Sequence, residues 1–93
     1  IIEIEVENLI DLEEAIIAGA DRILLDNFSY SMLEKACKRN KELSNPPKLL
    51  EASGNITIEN IQKVANSGVN YISIGALTKN IKAIDLSMRF DEE

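Results

Sequence analysis

The chain is 93 residues long, 45% of its residues are hydrophobic, and its formal net charge is −6. This length and composition fit one small packed domain and exclude a disordered chain. The acidic balance argues against nucleic acid or an anionic membrane as the main partner, since both require a basic surface.

The first segment alternates acidic and apolar residues. In the stretch IIEIEVEN, Glu3, Glu5 and Glu7 alternate with isoleucine and valine. A strand would place the three carboxylates on one face. The same alternation is typical of an ordinary strand whose polar face meets water, so this stretch alone does not decide between a site and a solvated surface.

Strand and helix patterns continue in alternation along the chain. Asp11 and Glu14 form a capping-box pattern, and Gly19 and Gly68 stand where helices are expected to end. The predicted elements are a strand over 1–6, a helix from Asp11 to about Gly19, a strand over 22–26, a helix over about 31–43, a strand over 48–52, a helix capped by Asn55 or Thr57 and ending at Ser67, and a strand over 71–74.

One unit of this pattern occurs twice, because AGADRILLD over 18–26 aligns with SGVNYISIG over 67–75. Strands joined through helices by short connections predict parallel pairing and right-handed crossovers, and therefore an α/β fold. Four such strands make either half of a (β/α)8 TIM-like barrel or a small open sheet. We favour the half barrel, because an open parallel sheet would leave two long bare edges.

The cysteine content and the start of the chain bear on its context. Cys37 is the only cysteine, which excludes an internal disulfide and predicts a free thiol in a reducing cytoplasm. No apolar run reaches the length of about 18 residues that a membrane-spanning helix requires, and no signal-peptide pattern opens the chain. Because the chain opens with Ile1 instead of methionine, we expect it to be a fragment of a longer protein.

Three acidic residues stand at predicted carboxyl ends of strands, where barrels of this kind carry their chemistry. They are Glu5, Asp26 and Glu51. A single acid at such a place is more often a helix cap or a surface charge. Three that converge can hold a divalent cation bridged to phosphates and can stabilise a developing positive charge, so the combination predicts a metal and phosphate site.

Two glycine turns accompany these acids. Ser53-Gly54-Asn55 precedes a predicted helix, and Ile74-Gly75-Ala76 follows the fourth predicted strand. Backbone N–H groups in such turns can bind a phosphate, although each glycine also suits a turn that has no other role. Their occurrence at consecutive strand ends favours phosphate binding.

Four segments together resemble the quinolinate phosphoribosyltransferase family. IEIEVEN, AGADRILLDN, LLEASGNIT and GVNYISIGALTKNIKAIDLSMRF are similar to its C-terminal part in order and spacing, over essentially the whole chain. The resemblance implies that residues 1–93 form the C-terminal half of a TIM-like α/β-barrel domain, with an N-terminal sandwich domain and the first barrel strands outside this chain. It implies a phosphoribosyl transfer that converts quinolinate and phosphoribosyl diphosphate to nicotinate mononucleotide, diphosphate and CO2, in NAD biosynthesis.

The resemblance also implies roles for individual residues. Glu5 and Asp26 match the acidic pair that lies beside the ribose and the Mg²⁺ of phosphoribosyl diphosphate, and Glu51 matches a further acid of the site. Two phosphate loops are matched, formed by Ser53, Gly54 and Asn55 and by Ile74, Gly75 and Ala76. Lys79 is expected to offer its charge to a phosphate. Asn55 and Lys79 stand where many family members have glycine and histidine, respectively.

Other expectations concern the full-length protein. The family grips quinolinate with arginines, lysines and a histidine from segments outside this chain, which itself has no histidine. We therefore expect the isolated chain to be inactive, and the full-length protein to be a cytoplasmic homodimer or larger homo-oligomer with small-molecule substrates. Two alternatives are the molybdenum-associated paralogue of the same family and a non-catalytic association module.

Overall fold

The computed structural model of the protein describes residues 1–74 and 79–85. Strands and helices alternate along it, which confirms the predicted α/β fold. The elements are β1 (Glu3–Val6), α1 (Leu9–Ile17), β2 (Arg22–Asp26), α2 (Tyr30–Leu43), β3 (Leu49–Ser53), α3 (Ile61–Ala65), β4 (Tyr71–Ile74) and β5 (Lys79–Lys82). Within these residues, no helix combines the length and the apolar character needed to span a membrane.

The five strands form one sheet in chain order, from β1 to β5. The first four strands run parallel, and a helix lies between each consecutive pair, as the sequence predicts. β5 was not predicted and runs antiparallel to β4, where Ile81 pairs with Ile72. Its sequence KNIK has a single apolar residue, so it lacks the alternation that identifies a strand.

The hydrophobic core lies between one face of the sheet and the helices. In β2, Ile23 and Leu25 are fully buried, whereas Arg22, Leu24 and Asp26 are only half-buried, as the two-residue period of a strand requires. The buried apolar cluster consists of Val6, Leu12, Ala15, Ile16, Ala20, Ile23, Leu25, Leu33, Ala36, Cys37, Leu50, Ala52, Val64, Ala65, Val69, Ile72 and Ala83. The opposite face of the sheet carries the half-buried side chains of β2, which are Arg22, Leu24 and Asp26.

The first residues of α1 and α2 differ from the predicted ones, because other residues than those predicted act as N-caps. Asn8 is the N-cap of α1, and its side-chain oxygen accepts a hydrogen bond from the Asp11 N–H at 2.8 Å. The capping box predicted to begin at Asp11 is therefore wrong, because that residue already lies in the first turn. α2 begins one residue early, with Ser29 as its N-cap. At the end of α1, Gly19 has a φ of +92°, as expected for a glycine after a helix.

α3 is shorter than predicted. It spans Ile61–Ala65 with Asn60 as its N-cap, so the predicted caps Asn55 and Thr57 are wrong. The Asn60 side chain bonds to the backbone of both of these residues. This hydrogen bonding closes the segment into a turn, which delays the start of the helix.

Candidate functional site

Three carboxylates converge at one end of the sheet. One oxygen each from Glu5, Glu7 and Asp26 lies within 4.8 Å of the other two. Glu5 and Glu7 are exposed, and Asp26 is half-buried. The structure thus brings together the two acids expected to share a site, and it adds Glu7, which the alternation of the first segment places on the same face.

The parallel pairing of β1 and β2 explains this convergence. Glu5 is level with Leu24 in the register of the two strands. Asp26 lies two residues beyond Leu24, and Glu7 lies two residues beyond Glu5. Because side chains two residues apart share a face, all three carboxylates project from the face opposite the core, near the carboxyl ends of the strands.

The donor set suits a hard divalent cation. Carboxylate oxygens are the ligands that Mg²⁺ and Ca²⁺ prefer, and a Mg²⁺ ion usually takes one or two protein carboxylates and completes its shell with water and substrate phosphates. Glu5 and Asp26 fit that description, with Glu7 as a third available oxygen donor. Three carboxylates so close also repel one another, which favours the binding of a cation between them.

The loop that follows β3 lies next to this acidic cluster. The Ser53 hydroxyl is 3.4 Å from Oδ1 of Asp26, within hydrogen-bonding distance. A cavity of about 300 Å³ opens beside the loop. Its lining residues are Asp26, Ser53, Gly54, Asn55, Ile56 and Ser73. Asp26, one of the three clustered carboxylates, and the first predicted phosphate loop therefore line the same cavity.

The backbone of this loop is left-handed at two consecutive positions. Gly54 has a φ of +79° and Asn55 a φ of +53°. The first favours glycine, and asparagine is among the few other residues that adopt this conformation readily. Within the part of the chain that the structure describes, the N–H groups of Gly54 and Asn55 donate no hydrogen bond. They are therefore suited to donate hydrogen bonds to an anion.

Asn27, directly after β2, supports one side of the loop. Its N–H donates to the Ser53 carbonyl at 2.9 Å, and its own φ is +57°. Its side chain lies so close to Gly54 that a Cβ added there would come within 2.9 Å of the Asn27 Cγ. Glycine is therefore needed at position 54 both for its backbone conformation and for the space it leaves.

A second cavity lies on the other side of the same loop. It has a volume of about 310 Å³ and extends toward the first turn of α2. The Lys63 ammonium lies 4.8 Å from the centre of the Tyr30 ring in this cavity. The loop over 53–56 is thus a wall that separates the cavity beside Asp26 from this one.

Glu51 does not join the acidic cluster. β3 continues to Ser53, so Glu51 lies in the middle of the strand instead of at its end. It is buried and forms an ion pair with Arg22. The sequence does not predict Arg22 as the partner of Glu51, because this contact depends on the register between β2 and β3.

Of the second predicted phosphate loop, the structure describes only Ile74. Ile74 is partly buried and packs against the core. Gly75 and Ala76 lie outside the described residues. Lys79 pairs with Ile74 at the start of β5, which places its backbone next to the end of β4.

Comparison with known proteins gives matches along nearly the whole chain. The family model described as quinolinate phosphoribosyl transferase, C-terminal domain, matches residues 1–89. A protein of Methanocaldococcus jannaschii, named probable nicotinate-nucleotide pyrophosphorylase (carboxylating), is 42% identical over 90 residues. The match covers 94% of this chain and 32% of that relative, so the chain spans about a third of the relative's length.

Solved structures show the same similarity. The nicotinate-nucleotide pyrophosphorylase of Francisella tularensis matches with a TM-score of 0.70 and 44% identity, over 86% of this chain and 28% of that one. The corresponding protein of Ehrlichia chaffeensis gives a TM-score of 0.72 at 38% identity, over the same shares of the two chains. These likenesses and the mostly parallel sheet agree with the C-terminal half of a TIM-like barrel.

Proposed function

Because this chain belongs to the quinolinate phosphoribosyltransferase family, to whose C-terminal domain model it corresponds, we propose that it is part of a nicotinate-nucleotide pyrophosphorylase (carboxylating). The full-length protein converts quinolinate and phosphoribosyl diphosphate to nicotinate mononucleotide, diphosphate and CO2. Within it, this chain supplies the part of the site that holds the ribose and the phosphates.

One observation carries the proposal: the acidic cluster adjoins the left-handed loop. Asp26 contacts Ser53, and both residues line the same cavity. A phosphoribosyl diphosphate molecule needs a cation-binding set of carboxylates near its diphosphate and an anion-binding loop for its phosphate. The two are adjacent here, because Asp26 belongs to the acidic cluster with Glu5 and also lines the same cavity as Gly54 and Asn55.

The carboxylates of Glu5 and Asp26 have two tasks in this proposal. They hold Mg²⁺, which when bound neutralises charge on the diphosphate leaving group. They also lie beside the ribose, where positive charge develops as the bond to diphosphate breaks, and negative oxygens stabilise that charge. Glu7 adds a third carboxylate to the same electrostatic environment.

The loops hold the phosphates. The Gly54 and Asn55 N–H groups, which are free within the described residues, donate to phosphate oxygens, and Ser53 adds its hydroxyl. Ile74, Gly75 and Ala76 form the second loop of the proposal, and Lys79 adds a positive charge to it. Glu51 contributes indirectly, from within the sheet beneath the site.

The remaining parts of the proposal concern the full-length protein. The groups that bind the two carboxylates of quinolinate come from segments outside this chain. The protein works in the cytoplasm as a homodimer or larger homo-oligomer, on small molecules, and binds neither nucleic acid nor membranes.

An assay of the full-length protein tests the proposed function. Purified protein, quinolinate, phosphoribosyl diphosphate and Mg²⁺ should yield nicotinate mononucleotide and CO2 in equal amounts, and EDTA should abolish both. Nicotinate in place of quinolinate is the control substrate, because it lacks the carboxylate that leaves. Absence of turnover by folded protein at saturating substrates would overturn the proposal.

A further inference from the structure

Asn60 directs its side chain to the loop before it instead of to its own helix. It is the N-cap residue of α3, yet its carboxamide makes no hydrogen bond to that helix. Its Oδ1 accepts a hydrogen bond from the Thr57 N–H at 2.8 Å, and its Nδ2 donates to the Asn55 carbonyl at 2.9 Å. One planar carboxamide thus joins two points of the loop that are two residues apart.

The loop backbone has a sparsely populated conformation. Asparagine adopts the left-handed conformation more readily than most residues other than glycine, and contacts from the surroundings select it. Asn55 has this conformation and follows Gly54, which has it too. The hydrogen bond from Asn60 acts on the carbonyl of Asn55 itself, one of the two left-handed residues of the loop.

The loop is also held from the opposite side. The Asn27 N–H donates to the Ser53 carbonyl, and the Asn27 side chain lies against Gly54. Asn27 and Asn60 therefore hold the two ends of this segment. The N–H groups of Gly54 and Asn55 lie in its middle and donate no hydrogen bond to any residue that the structure describes. These contacts hold the loop beside Asp26, to which the Ser53 hydroxyl donates a hydrogen bond.

We propose that Asn60 is a positioning residue for phosphate binding, which acts through the loop over 53–57 without touching the substrate. The inference rests on the proposed function. Loss of the Asn60 hydrogen bonds would let Asn55 relax from its left-handed conformation and move the N–H groups away from the phosphate. A displacement of about 1 Å at such a site can weaken function by about a hundredfold, so even partial relaxation is measurable.

The experiment uses the full-length protein with Asn60→Ala, and Gln62→Ala as the matched control. Gln62 is an exposed amide on the same helix, and no side-chain hydrogen bond to it is present within the described residues. The Michaelis constants for phosphoribosyl diphosphate and for quinolinate are measured separately. We expect Asn60→Ala to raise the constant for phosphoribosyl diphosphate about tenfold or more and to leave that for quinolinate within about twofold. Gln62→Ala should change neither.

Other outcomes would overturn the inference. If Asn60→Ala leaves the Michaelis constant for phosphoribosyl diphosphate within about twofold of that of the unsubstituted protein, a role in the phosphate loop is contradicted. An equal rise in the Michaelis constants of both substrates contradicts it as well. If Asn60→Ala does not fold, Asn60→Ser decides the question. Serine keeps an oxygen that can cap α3 but is too short to reach the Asn55 carbonyl, so it should give the same selective rise.

The unsubstituted protein separates this inference from the proposed function. If it fails to make nicotinate mononucleotide, the proposed function falls. If it is active and the Asn60 variants have the same Michaelis constants as the unsubstituted protein, only the inference about Asn60 is contradicted.

Discussion

Arg22 and Glu51 form an ion pair between neighbouring strands, on the face of the sheet that is opposite the helices. Nη2 of Arg22 donates to Oε1 of Glu51, and the guanidinium carbon lies 4.1 Å from the centre of the Tyr71 ring. The side chain of Glu51 is only 6% exposed, and that of Arg22 21%. The negative charge of Glu51 is therefore balanced by Arg22 within the sheet, whereas Glu5 and Asp26 belong to the acidic cluster at the end of the sheet.

The first prediction follows from this pair. Glu51→Gln should lower the free energy of unfolding of the full-length protein by about 2–3 kcal/mol, because it removes the counter-charge of a guanidinium that is largely out of water. Urea unfolding measures the change. Glu42→Gln is the control, since Glu42 pairs with Arg39 on an exposed surface and should cost less than about 1 kcal/mol. Equal losses for the two variants would contradict the expected role of burial.

The second prediction concerns Asp26. In the full-length protein, Asp26→Asn should lower kcat/KM by about a hundredfold or more, because it keeps the shape of the side chain and removes a negative charge beside the metal and the ribose. Steady-state kinetics with both substrates measure this. Glu59→Gln, an exposed acid after the loop, should leave kcat/KM unchanged. A value for Asp26→Asn within about threefold of the parent would refute the role of Asp26.

The third prediction compares two glycines, Gly19 and Gly54. Replacement by alanine strains the backbone at both, but it causes a steric clash only at Gly54. Gly19 and Gly54 both have positive φ. Among residues 1–74 and 79–85, no atom lies within 4 Å of a Cβ added at Gly19, whereas the Asn27 side chain occupies that position at Gly54. Gly19→Ala should therefore cost about 1 kcal/mol of stability through backbone strain alone. Gly54→Ala should cost more and should weaken binding of phosphoribosyl diphosphate more than that of quinolinate.

Calorimetric titration of each substrate checks the Gly54 prediction. Asn27→Gly in combination with Gly54→Ala should recover part of the lost stability, since it removes the side chain that the new methyl group would meet. If Gly54→Ala lowered the binding affinity for both substrates equally, the result would contradict the proposal that this loop binds phosphate.

The fourth prediction concerns the thiol of Cys37. Burial raises its pKa from 9.0 to about 11, so the folded protein keeps the thiol protonated at a pH where the unfolded chain has lost the proton. The unfolded state then binds fewer protons than the native state, and stability must fall as the pH rises from 9 to about 11. Urea unfolding at several pH values measures the slope, which should be smaller in Cys37→Ala.

Reaction with a thiol reagent gives a second measurement on Cys37. The native protein should react slowly at neutral pH because its thiolate is scarce and buried, and urea should accelerate the reaction. Rapid labelling of the native protein would show that the cysteine is exposed.

The fifth prediction concerns the isolated chain of 93 residues. β1 is an edge strand, and Ile10 and Ile17 are 71% and 78% exposed on α1. An open strand edge with exposed apolar residues favours association. We expect sedimentation to show self-association, and no formation of nicotinate mononucleotide. A monomeric and active chain would contradict the view that the rest of the barrel supplies missing contacts and substrate-binding groups.

Features that depend on neighbours along the chain can be predicted from the amino-acid order alone. The alternation of β1 placed Glu5 and Glu7 on one face, and the apolar run of β2 gave its bounds, because both follow from the two-residue period of a strand. The parallel α/β arrangement followed from the spacing of these elements, and the family from the motifs at the strand ends. Gly54 was identified as a turn residue, although the reason for glycine there involves Asn27, which is distant in sequence.

Which side chains share a site depends on how the strands and loops pack against one another in three dimensions. The sequence position of Glu51 groups it with Glu5 and Asp26, but the register of β2 against β3 places it level with Leu24, two residues from Arg22, with which it forms an ion pair. Similarly, the hydrogen bonds of Asn60 to the preceding loop moved the start of α3, which cap patterns alone placed too early. Register and loop closure are set by contacts between residues far apart or by competing local hydrogen bonds, and a one-dimensional pattern does not rank these against each other.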